Sequence, residues 1–96
     1  STFKELSDFF TDTKSLEVSE ATLLSITSVV NTLKRVVGEN TRLVDIQHAD
    51  ILNYRKELLT GEVFNPSMPN RIKNGRAPST VNKQMAVLSE MLKLAN

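Results

Sequence analysis

The chain has 96 residues, of which 40% are apolar, and it contains no cysteine. This length suits one domain that buries a core without a metal or disulfide, and the lack of cysteine excludes disulfides and cysteine-based zinc sites. The sequence has no long apolar run and no secretory pattern, so it predicts no membrane association and suits the reducing cytoplasm.

The formal net charge of +1 conceals an uneven distribution of charge. Residues 1–62 contain seven Lys/Arg and ten Asp/Glu, whereas residues 63–96 contain five and one. A basic end of this kind is typical of proteins that bind a polyanion. An uneven solvated surface would give the same count.

The first predicted helix covers about residues 3–11. Thr2 and Glu5 have the spacing of a capping box, and four apolar side chains follow at helical spacing. We expect these side chains to contribute to the core or to docking contacts: Phe3, Leu6, Phe9 and Phe10. Residues 12–17 are polar and are predicted to form a connection.

The second predicted helix begins after Ser19 as N-cap and ends at Val37, before Gly38. Its apolar stripe contains Leu23, Ile26, Val29, Val30, Leu33, Val36 and Val37. The opposite face is nearly free of acid and contains Ala21, Leu24, Ser28, Asn31 and Arg35. Hydroxyl, amide and cationic groups on one face can approach a phosphate backbone. Ser28, Asn31 and Arg35 are therefore candidate DNA-binding residues, although an ordinary wet face has a similar composition.

A third predicted helix, from about His48 to Thr60, is followed by a long basic loop. Its inward positions are Ile51, Leu52, Leu58 and Leu59, and Gly61 is its stop. Residues 61–78 are too long for an inert connection in so small a domain. The basic half of this loop carries Arg71, Lys73 and Arg76 without an acid or an aromatic residue, which favours phosphate contact on a duplex over base stacking.

The fourth predicted helix starts at Pro78, Ser79 and Thr80, where free backbone N–H groups favour a phosphate. Its buried stripe contains Val81, Met85, Leu88, Leu92 and Ala95, with Met91 beside it. Ser79, Asn82 and Lys83 share an outward face and are candidates for contact with phosphates and base edges, with adenine the natural partner of the Asn82 amide. Ser79 has the N-cap as its alternative role. We expect this face and that of the second helix to lie on the same side of the molecule.

Catalytic and metal-binding signals are lacking in the sequence. His48 is the only histidine and Tyr54 the only tyrosine, and neither lies near a recognisable catalytic partner. We therefore predict no catalytic residue, no metal site and no cofactor in this chain.

Three stretches resemble the core-binding domain of the phage integrases, which are tyrosine recombinases. They are the helix from Ser19 to Gly38, LVDIQHADILNYRKELL, and STVNKQMAVLSEMLKLA after a basic loop. The resemblance implies an all-α fold, a four-helix orthogonal bundle of the SAM-like type, with residues 1–96 as one domain. It also implies that this domain grips the crossover-site duplex opposite a separate C-terminal catalytic domain, in a parent protein that is a homotetramer on DNA. Tyr54 would then pack at the rim of the core and would not be the nucleophile.

We expect the chain to be a piece of a longer integrase that is monomeric in isolation and is not itself an enzyme. Two alternatives remain open. A helical protein-interaction module without a nucleic-acid role would show a contiguous apolar surface patch and binding that is insensitive to salt. A stand-alone helix-turn-helix regulator would need two short helices joined by a tight turn, and the sequence shows no such pair.

Overall fold

Four α-helices, a short 3-10 helix and a two-stranded hairpin make up the computed structural model, which describes residues 1–64, 72–74 and 76–95. The helices are α1 (Phe3–Ser15), α2 (Glu20–Val37), α3 (His48–Thr60) and α4 (Pro78–Ala95), and the 3-10 helix is Leu43–Asp45. Between α3 and α4, β1 (Glu62–Phe64) pairs antiparallel with β2 (Ile72–Asn74). The predicted all-α bundle is confirmed, and the hairpin occupies part of the predicted loop.

The core is formed by apolar side chains from all four helices. Its buried members are Phe3, Leu6, Phe10, Val30, Leu33, Val37, Leu58, Val81, Leu88 and Met91. Both α2 and α4 contact the other three helices and so lie at the centre of the bundle. No helix within the described ranges has the length and apolar character needed to cross a membrane.

The ends of α1 and α2 follow the signals in the sequence. The Thr2 hydroxyl accepts a hydrogen bond from the Glu5 N–H at 3.3 Å, and the Ser19 hydroxyl accepts one from the Thr22 N–H at 3.4 Å. Each bond satisfies one N–H group that the first turn of a helix leaves free. At the other end of α2, Gly38 has φ 97°, a conformation that glycine adopts without steric cost.

The loop after α2 pairs with the start of α1. The Phe3 N–H donates to the Thr41 carbonyl at 2.8 Å, and the Lys4 N–H donates to the Glu39 carbonyl at 2.9 Å. These bonds satisfy further N–H groups of the first turn and hold α1 against α2.

Helix α1 is longer than the sequence predicted, because it includes four polar residues that were expected to form a connection. Lys14 lies in this extension, and its ammonium contacts the Glu90 carboxylate of α4 at 2.7 Å and the Glu17 carboxylate at 3.4 Å. The hydrogen bond to Glu90 is the main cause that raises the pKa of Lys14. The added turn therefore ties the end of α1 to α4.

Three side chains expected in the core are exposed. Phe9 and Leu52 are 57% and 55% exposed, and Ala95 is also exposed. In α4 the buried positions are Val81, Gln84, Leu88 and Met91. This stripe is rotated from the predicted one because α4 packs against α1 and α2 as well as α3. Met85 and Leu92, which were predicted to belong to the buried stripe, are only partly buried.

Candidate nucleic-acid interface

A groove of about 1000 Å³ runs between α2 and the N-terminal half of α4. We call it the α2–α4 groove. It is lined by Leu24, Thr27, Ser28, Asn31, Thr32, Lys34, Arg35, Glu39, Arg76, Thr80 and Gln84. Among these described residues are three cations and one acid, and most of the others carry a hydroxyl or an amide. Such a surface suits an anionic ligand with many hydrogen-bond acceptors.

The α2 wall of the groove follows from the helical period of α2. Val30, Leu33 and Val37 are buried in the core, so the opposite face of the helix points to solvent. Ser28 and Arg35 lie on that opposite face, are exposed and line the groove. Asn31 is also exposed and lines the groove, so the structure brings together all three candidate residues of α2.

Lys34 and Glu39 form the ion pair at the end of this wall. The Lys34 ammonium lies 3.9 Å from the Glu39 carboxylate, which is 53% exposed. A partly exposed pair at this long distance contributes little to stability and is weakened by salt. Glu39 is the only acid among the described lining residues, and its charge is offset by Lys34. The positive charges of Arg35 and Arg76 therefore stay available to an anionic ligand.

Arg76 joins the groove to the end of α3. Its guanidinium donates from Nη1 to the Leu58 carbonyl at 3.2 Å, near the C-terminus of α3, where carbonyl groups lack helical partners. Arg76 and Arg35 also border a second cleft, of about 380 Å³, between α2 and α3.

The positive charges of Arg35 and Arg76 influence each other. Burial lowers the pKa of Arg76, and the charge of Arg35 lowers it further. An arginine nevertheless stays protonated at neutral pH. Because an anion placed between the two guanidinium groups would offset their repulsion and accept several hydrogen bonds, this corner of the groove suits a phosphate.

The candidate residues at the start of α4 lie outside the lining of the groove. Ser79, Asn82 and Lys83 are exposed, but the wall is formed by Thr80 and Gln84. At 3.6 residues per turn, Asn82 lies about 160° around the helix from Thr80, whereas Lys83 lies about 60° from it. The structure therefore does not bring Asn82 together with the polar face of α2, and Lys83 flanks the groove.

Ser79 does not occupy the N-cap position. Helix α4 begins at Pro78, and the Val81 N–H donates to the Ala77 carbonyl at 3.1 Å. Proline favours the first helical position because its missing N–H would have no helical partner there. Ser79 is consequently a residue of the first turn.

The two other basic candidates follow β1. Arg71 lies outside the described residues. Lys73 belongs to β2, where its backbone is paired with that of Val63. Their predicted phosphate contacts stay predictions.

Thr80 and Gln84 are groove residues that the sequence did not single out. Gln84 is only 7% exposed, and its Oε1 atom is buried without a hydrogen-bond partner among the described residues. The spacing of the two residues could have indicated this, because a glutamine four residues after a threonine lies on the same helical face. The sequence analysis did not use this spacing, because Gln84 borders the apolar stripe of α4.

No group of three or more His, Cys, Asp or Glu in the described part of the chain could hold a metal ion. Tyr54 is half-buried and packs against the core, as predicted for the rim of the bundle. Burial is the main cause that raises its pKa, and the charge of Asp50 adds to this effect. In the described structure Tyr54 has the environment of a packing residue.

Comparison with known proteins relates the chain to two proteins of Escherichia coli strain K12. It is 38% identical over 94 residues to the prophage integrase IntR, and this aligned region is 98% of this chain and 23% of that protein. It is 33% identical over 88 residues to the putative defective protein IntQ, and this aligned region is 92% of this chain and 22% of that protein. The chain thus spans less than a quarter of the length of these curated relatives.

No protein-family model matches the chain, and no solved structure matches it. The similarity to the prophage integrase nevertheless extends over almost every residue, and the predicted all-α bundle is present. The similarity therefore supports an integrase-family segment, without a family model that matches it.

Proposed function

We propose that the chain binds duplex DNA through the α2–α4 groove, as the core-binding domain of a phage integrase at the crossover site. The observation that carries this proposal is the groove itself, which has hydroxyl and amide groups along its walls and two guanidinium groups at one corner. The similarity to a segment of a prophage integrase supports it, because integration of phage DNA requires a protein that holds a duplex.

The groove offers two kinds of contact to a duplex. Arg35 and Arg76 supply charge-assisted hydrogen bonds to phosphate oxygens. Ser28 and Asn31 on α2 add neutral hydrogen bonds to the backbone, and Thr80 lies in the first turn of α4, where the helix dipole favours an anion. These contacts fix the position of the protein on the duplex and supply most of its affinity.

The other candidate residues extend this surface in the proposal. Lys83 flanks the groove on α4, and Ser79 and Asn82 are exposed at the start of the same helix, with Asn82 on the side turned away from the groove. Arg71 and Lys73 belong to the basic segment that precedes α4 in the sequence. We assign phosphate contacts to the cations and a base-edge contact to Asn82.

Recombination by the parent protein would require more than this chain. In the proposal a separate C-terminal domain supplies the catalytic residues, the parent assembles as a homotetramer on DNA in the cytoplasm, and the isolated chain is a monomer without enzyme activity. The core-binding domain holds the duplex on the side opposite the catalytic domain.

The salt dependence of binding tests this proposal. Each phosphate contact contributes about −0.9 to the slope of log affinity against log salt, so the five cations assigned to phosphates predict a slope of about −4 to −5. Fluorescence anisotropy of a labelled duplex measures this slope. Absence of binding at about 50 mM salt would sink the proposal, and affinity that is independent of salt would favour the protein-interaction alternative.

A further inference from the structure

Gln84 is the one buried polar side chain on the α4 wall of the α2–α4 groove among the described residues. Its Oε1 atom is almost completely shielded from solvent and accepts no hydrogen bond from any described residue. Buried side-chain oxygens nearly always have a partner, since leaving one unpaired destabilises the folded protein. A methionine of similar length at this position would avoid that penalty.

The surroundings of Gln84 indicate where a partner would come from. Thr80 precedes it by one helical turn on the same wall, and Arg76 continues the wall towards the positively charged corner. A glutamine side chain has three rotatable bonds, so its amide can turn from its buried position in the α4 wall towards the open groove. A ligand held at Arg35 and Arg76 would therefore lie within reach of this amide.

We propose that Gln84 is a specificity-determining residue whose unpaired side-chain carbonyl accepts a hydrogen bond from an exocyclic amino group of the bound duplex. This inference rests on the proposed function and adds sequence selectivity to it. Adenine is the favoured partner, because the carbonyl can accept from its N6 amino group while the amide NH₂ donates to N7. Phosphate offers no donor and cannot satisfy this oxygen.

The test compares the wild-type chain with Gln84→Met in a selection from a pool of random-sequence duplexes. Duplexes of about 20 base pairs suffice, since at about 3.4 Å per base pair they exceed the 37 Å length of the domain. Gln47→Met is the matched control, because Gln47 is exposed and lies outside the groove. Thermal unfolding of each variant is measured in parallel.

We expect the wild type to enrich a motif and Gln84→Met to lose the preference for an A·T pair at one position of that motif, with about tenfold weaker binding to the preferred site. Binding to unrelated duplexes and its salt slope should stay unchanged. We also expect Gln84→Met to raise Tm by about 4 °C or more, because it removes an unpaired buried acceptor. Gln47→Met should leave the motif unchanged and should not raise Tm, because it removes the side chain that caps the N-terminus of α3.

Three results would overturn the inference. The first is an unchanged motif with Gln84→Met, above all together with a lowered Tm, which would identify Gln84 as an ordinary core residue. The second is a uniform loss of affinity for all duplexes. The third is salt-dependent binding by the wild type without an enriched motif, which would leave the proposed function standing. If the wild type binds no duplex in the pool, the proposed function fails and this inference fails with it.

Discussion

Two arginines at one corner of the α2–α4 groove have different structural roles. Arg35 is exposed on α2, whereas Arg76 is half-buried and donates a hydrogen bond to the Leu58 carbonyl. Arg35→Ala should therefore leave the free energy of unfolding within about 0.5 kcal/mol of the wild type. Arg76→Ala should lower it by about 1 kcal/mol through the loss of this bond. Chemical denaturation measures both values.

The same two substitutions should have equal effects on DNA binding. Each removes one phosphate contact, so each should flatten the salt slope by about 0.9 and weaken all duplex sequences alike. Lys93→Ala is the control, because it removes the same charge near the far end of α4, about 20 Å along the helix from Thr80. An unchanged slope for both arginine variants would contradict the placement of the phosphates.

These roles at residue scale were only partly predictable from the sequence. Ser28, Asn31 and Arg35 could be grouped because one helix presents them at its own period. The bond from Arg76 joins positions 18 residues apart in the chain, and the unpaired oxygen of Gln84 depends on what packs above it. Neither feature has a local signature, so both required the tertiary structure.

At the scale of the elements, α4 contributes to the stability of the bundle through contacts with the other three helices, as α2 also does. Leu88 is 1% exposed in the middle of this helix, so Leu88→Ala should lower the free energy of unfolding by about 2 to 4 kcal/mol through lost burial and a residual cavity. Lys83→Ala, on the exposed face, should change it little. Equal denaturation midpoints for Leu88→Ala and the wild type would contradict the observed packing of α4.

The junction between α3 and the hairpin depends on a small residue. Gly61 has φ −76°, which any residue can adopt, but a Cβ atom there would lie 2.5 Å from the Glu57 carbonyl oxygen. That oxygen accepts the Gly61 N–H at 2.7 Å, so it cannot easily move. Gly61→Ala should destabilise the fold by about 1 to 3 kcal/mol in thermal or chemical unfolding. A neutral effect would mean that the backbone relaxes at this junction.

The sequence predicted where the helices begin and end more accurately than it predicted which of their faces are buried. The bounds of α3 and the end of α2 at Gly38 were predicted correctly, because stops and caps are encoded within a few residues. The buried stripe of α4 was predicted in part: Val81, Leu88 and Met91 are buried as expected, whereas Gln84 is buried in addition and Ala95 is exposed, because the packing of α1, α2 and α3 around the helix is not encoded locally. The hairpin was missed because its strands are only three residues long and are separated by a long connection.

For the whole molecule, the segregation of charge along the sequence becomes a spatial arrangement. The acidic first part of the chain contributes α2, whose face towards the groove lacks acid, and the basic last part contributes Arg76 and the start of α4. The groove is thus a composite of two distant segments, and folding is required to assemble it. A variant that unfolds the bundle, such as one with a large cavity at Leu88, should lose DNA affinity in proportion to the unfolded fraction.

The claim that the α2–α4 groove holds a duplex is tested most directly by NMR titration of the isotope-labelled chain with duplex DNA at about 50 mM salt. We predict that the largest shift changes fall on Ser28, Asn31, Arg35, Arg76, Thr80 and Gln84, and that the exposed ends of α1 and α3 change little. Shift changes concentrated around Phe9 on α1 and Leu16 directly after it, or no changes at saturating duplex, would contradict this placement of the duplex.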